Sequence, residues 1–432
     1  MRRLLLVIAA LGFSSTAPSE GGGQDAAAVI RAGVARRDIT PKEFLPMWGY
    51  AARKDALSGG TLDPLTATAL VIDAAGSKLA LVGLDLGRSP NEHSLQQIRQ
   101  QIAQRGIAHS FVAGSHTHHA PVLELTDADG RGRGRFDAAI RYNAELETAI
   151  VAAVLEADSK VAPARLATSM EPLEGFNRNR HSKLPDPPVD RTLGLLRVED
   201  GAGRPLAVVV NFAAHPTSIP ADTLKYSADF VGGLRAEAEA TLKAPVLFLQ
   251  GAAGDLSTDR KGLEYEAYGR ALGRIVATRA TALSGASDSP PSLAVKEDRL
   301  TFPWRHDAAN EQFIRTVSRA FFPELVANYV AEYKNGVRPR LTVAVLNREL
   351  IFVGVSGEVF ARHALTLRDR ARARALYFVG YANGYHQYFP TIEAFAEGGY
   401  GTGLEAAAPA SAGEQLMATA LLWSYQLRGK LK

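Results

Sequence analysis

The chain has no cysteine among its 432 residues. A disulfide framework and a lipidated cysteine are both excluded, so stability has to come from a buried core or from bound metal. Charge of one sign is not in excess either: 49 Lys and Arg against 45 Asp and Glu leave a formal net charge of +4. Beyond Arg131-Gly-Arg133-Gly-Arg135 there is no basic block, which argues against a nucleic-acid surface. No period of 20–50 residues signals repeats. Long apolar runs are also missing. The run Leu4 to Phe13 is about ten residues, too short to span a bilayer, and nothing after it resembles a stop-transfer segment.

That short run follows Met1-Arg2-Arg3 and precedes the small residues Ser15-Thr-Ala17, the pattern of an export signal. Residues 1–17 are expected to be a signal peptide and 18–28, rich in Gly, Ala and Ser, a flexible lead-in, which predicts a secreted or periplasmic protein. What remains is 46% hydrophobic overall with ordinary charge, enough to bury a sizeable core.

Short apolar runs predict strands over 29–34, 67–73, 79–84, 110–114, 165–168, 192–198, 206–212, 246–250, 341–345, 350–355 and 377–381. Helical spacing predicts helices over about 93–105, 137–157, 228–243, 262–284, 308–333, 358–373 and 411–427. The interleaving indicates an α/β fold with mixed β-sheets flanked by helices. Pro290-Pro291, in the stretch from Ser284, reads as a surface loop, because candidate site residues lie on both sides of it. A single catalytic domain over 29–430 is expected.

Histidine is scarce, ten in all, yet three fall within four residues after the apolar start at Phe111: His116, His118 and His119. In an extended segment His116 and His118 point to one side and His119 to the other, so the first two can meet one metal ion. The alternative is a polar strand end with hydrogen-bonded histidines. Four further strands run into residues that can carry chemistry: His215 after 206–212, Asp255 and Ser257 after 246–250, Glu358 after 350–355, and a phenol-rich loop reaching Tyr388 after 377–381. Sites of α/β proteins gather beyond strand carboxyl ends.

The set Gly33-Val-Ala-Arg-Arg-Asp38-Ile-Thr40-Pro41, Met47-Trp-Gly49-Tyr50, Ser115-His-Thr-His118, Asn211-Phe-Ala-Ala-His215-Pro-Thr-Ser218, Gly254-Asp-Leu-Ser257 and Gly357-Glu358 resembles the catalytic domain of the neutral ceramidases. The resemblance covers most of 30–430. These are secreted or membrane-associated zinc amidases that split ceramide into sphingosine and a fatty acid. The resemblance implies Zn2+ held by His116, His215, Glu358 and Tyr388, with His118 facing the substrate. It also implies roles for Tyr400 and for Arg180, which lies in Asn177-Arg-Asn-Arg180, and keeps Ser257, sometimes proposed as nucleophile.

Three departures accompany it. Gly254-Asp-Leu-Ser-Thr-Asp259 stands where the family has Gly-Asp-Val-Ser-Pro-Asn, His119 and Ala120 replace a Ser-Gly pair, and these 432 residues are expected to hold the catalytic domain without the family's β-sandwich. The reading is a secreted zinc-dependent amide hydrolase that cleaves the N-acyl bond of ceramide or a related lipid by metal-activated water. Its expected partners are a lipid-like or small amide substrate and a peripheral membrane contact, with no nucleic acid. The alternatives are a metallo-hydrolase of smaller amides or esters and a non-catalytic exported binding protein.

Overall fold

The computed structural model describes residues 29–125, 131–283 and 289–432. The expected signal peptide and lead-in, and the first part of the stretch from Ser284, lie outside the described residues.

Each strand expected from the sequence is present, the last displaced to Ala375–Val379. They form three sheets on one plan, in which three antiparallel strands are followed by a helix and a fourth strand that returns parallel to the third. In the first sheet these are Ile30–Asp38, Thr66–Ala74, Ser77–Leu84, helix Glu92–Ala103 and His109–Gly114. The second runs Arg165–Pro172, Thr192–Glu199, Pro205–Phe212, helix Phe230–Leu242 and Val246–Gln250. The third runs Leu293–Arg299, Arg340–Leu346, Leu350–Val355, helix Ala361–Ala371 and Ala375–Val379. A closing helix follows each fourth strand: Asp137–Ser159, Tyr265–Ala282 and Ala412–Leu427. The repeat is in architecture, with a period far longer than any the residue pattern exposes.

Both faces of each sheet are buried, which is why the strands read as continuous apolar runs. Alternate residues such as Leu81, Phe111, Val209, Leu247, Phe352 and Val379 meet in one central core drawn from all three sheets. Their neighbours face outward onto helices: Val82 and Val112 against Ile98 and Ile150, Val210 and Phe248 against Leu234 and Leu272, Val353 and Phe378 against Leu367 and Leu416. The result is a three-sided prism of sheets with helices on the outside.

Each of the three seams is crossed by one buried amide side chain. Gln250 donates to Ser115 O and Ala214 O, both at 2.9 Å, joining the second sheet to the first. Asn211 donates to Leu249 O at 2.9 Å and Phe378 O at 2.8 Å, joining the second to the third. Asn383 donates to Ser110 O at 2.9 Å and Thr342 Oγ1 at 3.1 Å and accepts from Val112 N at 2.9 Å, joining the third to the first.

Two expectations need correction. The helix expected over 308–333 is two helices, Glu311–Ala320 and Pro323–Glu332, because Pro323 has no N–H for the first helix to use and is suited to start the second. The strand Leu293–Arg299 was not anticipated. It is an edge strand whose Lys296-Glu-Asp-Arg299 charges suit a solvent-facing rim, with Glu297 bonded to Arg99 and Arg340. Among the described residues no helix is long and apolar enough to cross a membrane.

Candidate metal centre

The carboxyl ends of the third and fourth strands of all three sheets meet at one end of the prism. His116 lies two residues past His109–Gly114, with φ at 71°. The expectation of an extended His116–His118 segment is therefore corrected: a left-handed residue, held by His116 N donating to Leu86 O at 2.9 Å, turns the ring inward. His116 and His118 nonetheless face the same space, with ring centroids 5.1 Å apart, while His119 turns away to the Arg53 guanidinium.

His116 Nδ1 is 2.7 Å from Gly87 O, and His215 Nδ1 is 3.0 Å from Ala253 O. A ring nitrogen facing a carbonyl must carry the proton, so in each neutral imidazole Nε2 is left with a bare lone pair. Those two Nε2 atoms are 2.9 Å apart, and Glu358 Oε2 lies 3.1 Å from the first and 3.7 Å from the second. Neither imidazole can donate to the other in that tautomer, and a buried carboxylate adds a third acceptor. Three lone pairs converging in a dry site fit a bound cation, and two imidazoles with a carboxylate are a zinc donor set. Burial, then Arg180 and the neighbouring histidines, push the His215 imidazole well below its usual range, as burial, His116 and Arg180 do for His118. Burial would raise the Glu358 carboxyl, but His116 and the Tyr385 hydroxyl outweigh it and hold it low.

His118 offers a second arrangement. One ring nitrogen from each of His116, His118 and His215 lies within 4.8 Å of the others. Glu358 is the nearer third donor, and His118 keeps both ring nitrogens buried without a hydrogen-bond partner. Its ring fits only because residue 49 is glycine: a Cβ there would sit 2.3 Å from His118 Cγ, and φ is +102°.

Glu358 and Tyr388 are register partners in a short parallel ladder, which sets both side chains on one side. The Tyr388 hydroxyl accepts from Arg180 Nη2 at 3.1 Å, the same nitrogen that donates to Gly254 O at 2.9 Å and lies 3.3 Å from His215 Nε2. Tyr388 thus reaches the donor set beside Arg180. The Tyr400 ring packs edge-on to Tyr388 at 5.6 Å and under the Arg180 guanidinium at 5.6 Å, with much of its surface exposed. Ser257 lies on Leu256–Thr258, its backbone bridged to that of His215. Among the described residues no hydrogen bond joins its Oγ to a base.

No protein-family model matches the chain. Neutral ceramidase A of Dictyostelium discoideum is 28% identical over 206 residues, which span 42% of this chain and 28% of that protein's length. Two solved structures, a ceramidase complexed with C2 and the neutral ceramidase of Pseudomonas aeruginosa, superpose with a TM-score of 0.74 at 19% identity. The match covers 94% of this chain and 76% and 75% of theirs. The fold is that of the neutral ceramidases.

Within this neutral-ceramidase fold a cavity of about 390 Å³ opens beside the donor set. Trp48, Tyr50, His118, Glu358, Tyr388 and Tyr400 line its polar side, and Phe313, Val317, Phe321, Leu325 and Tyr329 of the two-helix hairpin line the other. Several residues around it were not anticipated. Tyr381 and Tyr385 lie in the loop flagged for its phenols, where the spacing 381, 385, 388 was the available signal. Arg88, between Gly87 and Ser89, and Glu124, between two leucines, gave none, yet they form a buried ion pair at 3.1 Å.

Proposed function

We propose that the chain is a zinc-dependent amide hydrolase of the neutral-ceramidase type, acting on the N-acyl bond of ceramide or a related N-acyl lipid. The observation that carries this reading is the meeting of His116 Nε2, His215 Nε2 and Glu358 Oε2 at the foot of an apolar cavity. A zinc ion held by these three side chains, with Tyr388 as fourth ligand, would supply Lewis acidity for the amide carbonyl and for an attacking water.

The chain's own residues supply the rest. Arg180 presents a half-buried guanidinium beside Tyr388 and His215, where it can balance negative charge growing on the carbonyl oxygen. His118, neutral and with both nitrogens free of hydrogen bonds, can take the proton released by the attacking water and pass it to the departing amine. Tyr400 covers the mouth and packs on Tyr388. Ser257, without a base, positions the His215 strand end and is not the nucleophile.

The cavity beside the donor set is walled by apolar side chains of the two-helix hairpin, which suits the acyl chain of an N-acyl amide. The test combines elemental analysis of the purified chain with turnover of N-acyl sphingosines, short N-acyl amides and esters. About one zinc per chain is expected, lost in His215→Ala together with amide cleavage. A full zinc complement in His215→Ala refutes the ligand assignment, and cleavage of esters but of no amide refutes the substrate class.

A further inference from the structure

The Glu358 carboxylate is gripped on both oxygens. The Tyr385 hydroxyl donates to Oε1 at 2.5 Å, and the Tyr381 hydroxyl lies 3.4 Å from Oε2 while its ring stacks on His116 at 4.0 Å. Behind the Tyr385 ring the Arg88 guanidinium sits 5.1 Å from the centroid, and Trp48 packs edge-on at 5.7 Å. Arg88 and Trp48 are themselves fixed, because both donate to Glu124 Oε1 at 3.1 Å, as Tyr329 does at 2.7 Å. Three donors on one buried carboxylate oxygen, two of them buried and Tyr329 half-buried, leave the Tyr385 ring little freedom.

A free carboxylate can offer either oxygen, or both, to a cation. We propose that Tyr385, and more weakly Tyr381, are positioning residues for the metal carboxylate, with Tyr385 occupying Oε1 so that Oε2 alone faces His116 and His215. The inference rests on the metal reading above. A buried phenol that served the fold alone could donate to any carbonyl, as Tyr377 does to Leu195 O at 2.8 Å. Tyr385 instead spends its proton on the oxygen next to the donor set.

Zinc affinity of the full chain, measured by competition with a chromophoric chelator, tests this without an activity readout. Tyr385→Phe keeps the ring, and with it the packing of Arg88 and Trp48, and removes only the hydroxyl. The expected result is zinc binding weakened by about 10- to 100-fold, the range for loss of a partner to a metal ligand. Tyr381→Phe is expected to lose less, in keeping with its longer contact, and is read alone if Tyr385→Phe fails to fold. Tyr377→Phe, which also loses a buried hydroxyl but is remote from Glu358, should bind zinc within about twofold of wild type. Unchanged affinity in both Tyr385→Phe and Tyr381→Phe, or an equal loss in Tyr377→Phe, overturns the positioning role while leaving the metal reading intact. Failure of the wild-type chain to take up zinc overturns both.

Discussion

Gly49 shows how much of the site depends on one missing carbon. With a Cβ, residue 49 would press on His118 at 2.3 Å in a backbone conformation that side chains rarely adopt. Gly49→Ala should therefore displace the His118 ring and lower kcat/KM by about 10- to 100-fold, with zinc content unchanged, since His116, His215 and Glu358 are not touched. Zinc loss in this variant would move His118 into the ligand set. His119 contributes one pH dependence to stability. Burial and the nearby Arg53 guanidinium lower its pKa to about 4, below the ordinary imidazole value. Between about 6.5 and 4 the unfolded chain therefore binds the extra proton and the folded chain does not, so stability falls as pH drops through that window. The loss attributable to this ring approaches about 3 kcal/mol at pH 4. Urea unfolding at pH 7 and pH 4.5 should show a shallower acid loss in His119→Gln than in wild type.

Among the elements, the hairpin of Glu311–Ala320 and Pro323–Glu332 has the most to say about substrates. Val317 is the buried residue of its first helix and lines the cavity with Phe321 and Leu325. Val317→Trp should fill that space, lowering kcat/KM for a long N-acyl chain by about tenfold or more relative to an N-acetyl substrate. Equal losses on both substrates would place the acyl chain elsewhere. This hairpin is also where the residue pattern misled. Its apolar spacing continues through Phe321-Phe322, so one helix was expected, and only the backbone demand of Pro323 divides it. The strands were plain because both faces are buried, whereas Leu293–Arg299 carries four consecutive charges at a sheet edge and shows no apolar run.

At the scale of the whole molecule, three sheets close around one core and three amides cross the seams. Asn383→Leu would leave Val112 N without its partner and remove one of two hydrogen bonds from Ser110 O and from Thr342 Oγ1, and should cost roughly 1–3 kcal/mol, measurable as a lower urea midpoint. Asn211, Gln250 and Asn383 could not be singled out beforehand, because a buried amide looks like any other until the strands it joins are known. His116, His215 and Glu358 were legible for the opposite reason: each follows an apolar strand, and chemistry gathers at such ends. Tyr385, Arg88 and Glu124 were not, since their meaning lies in contacts between distant segments. The donor set takes one residue from just beyond a strand of each sheet, His116 after the first sheet's Gly114, His215 after the second's Phe212 and Glu358 after the third's Val355. On the ribosome, then, the nascent chain offers first one imidazole and then two, and the carboxylate emerges only with the last third of the sequence. On the metal reading proposed above, loading has to wait for Glu358, because a chain halted before it carries only two of the three donors.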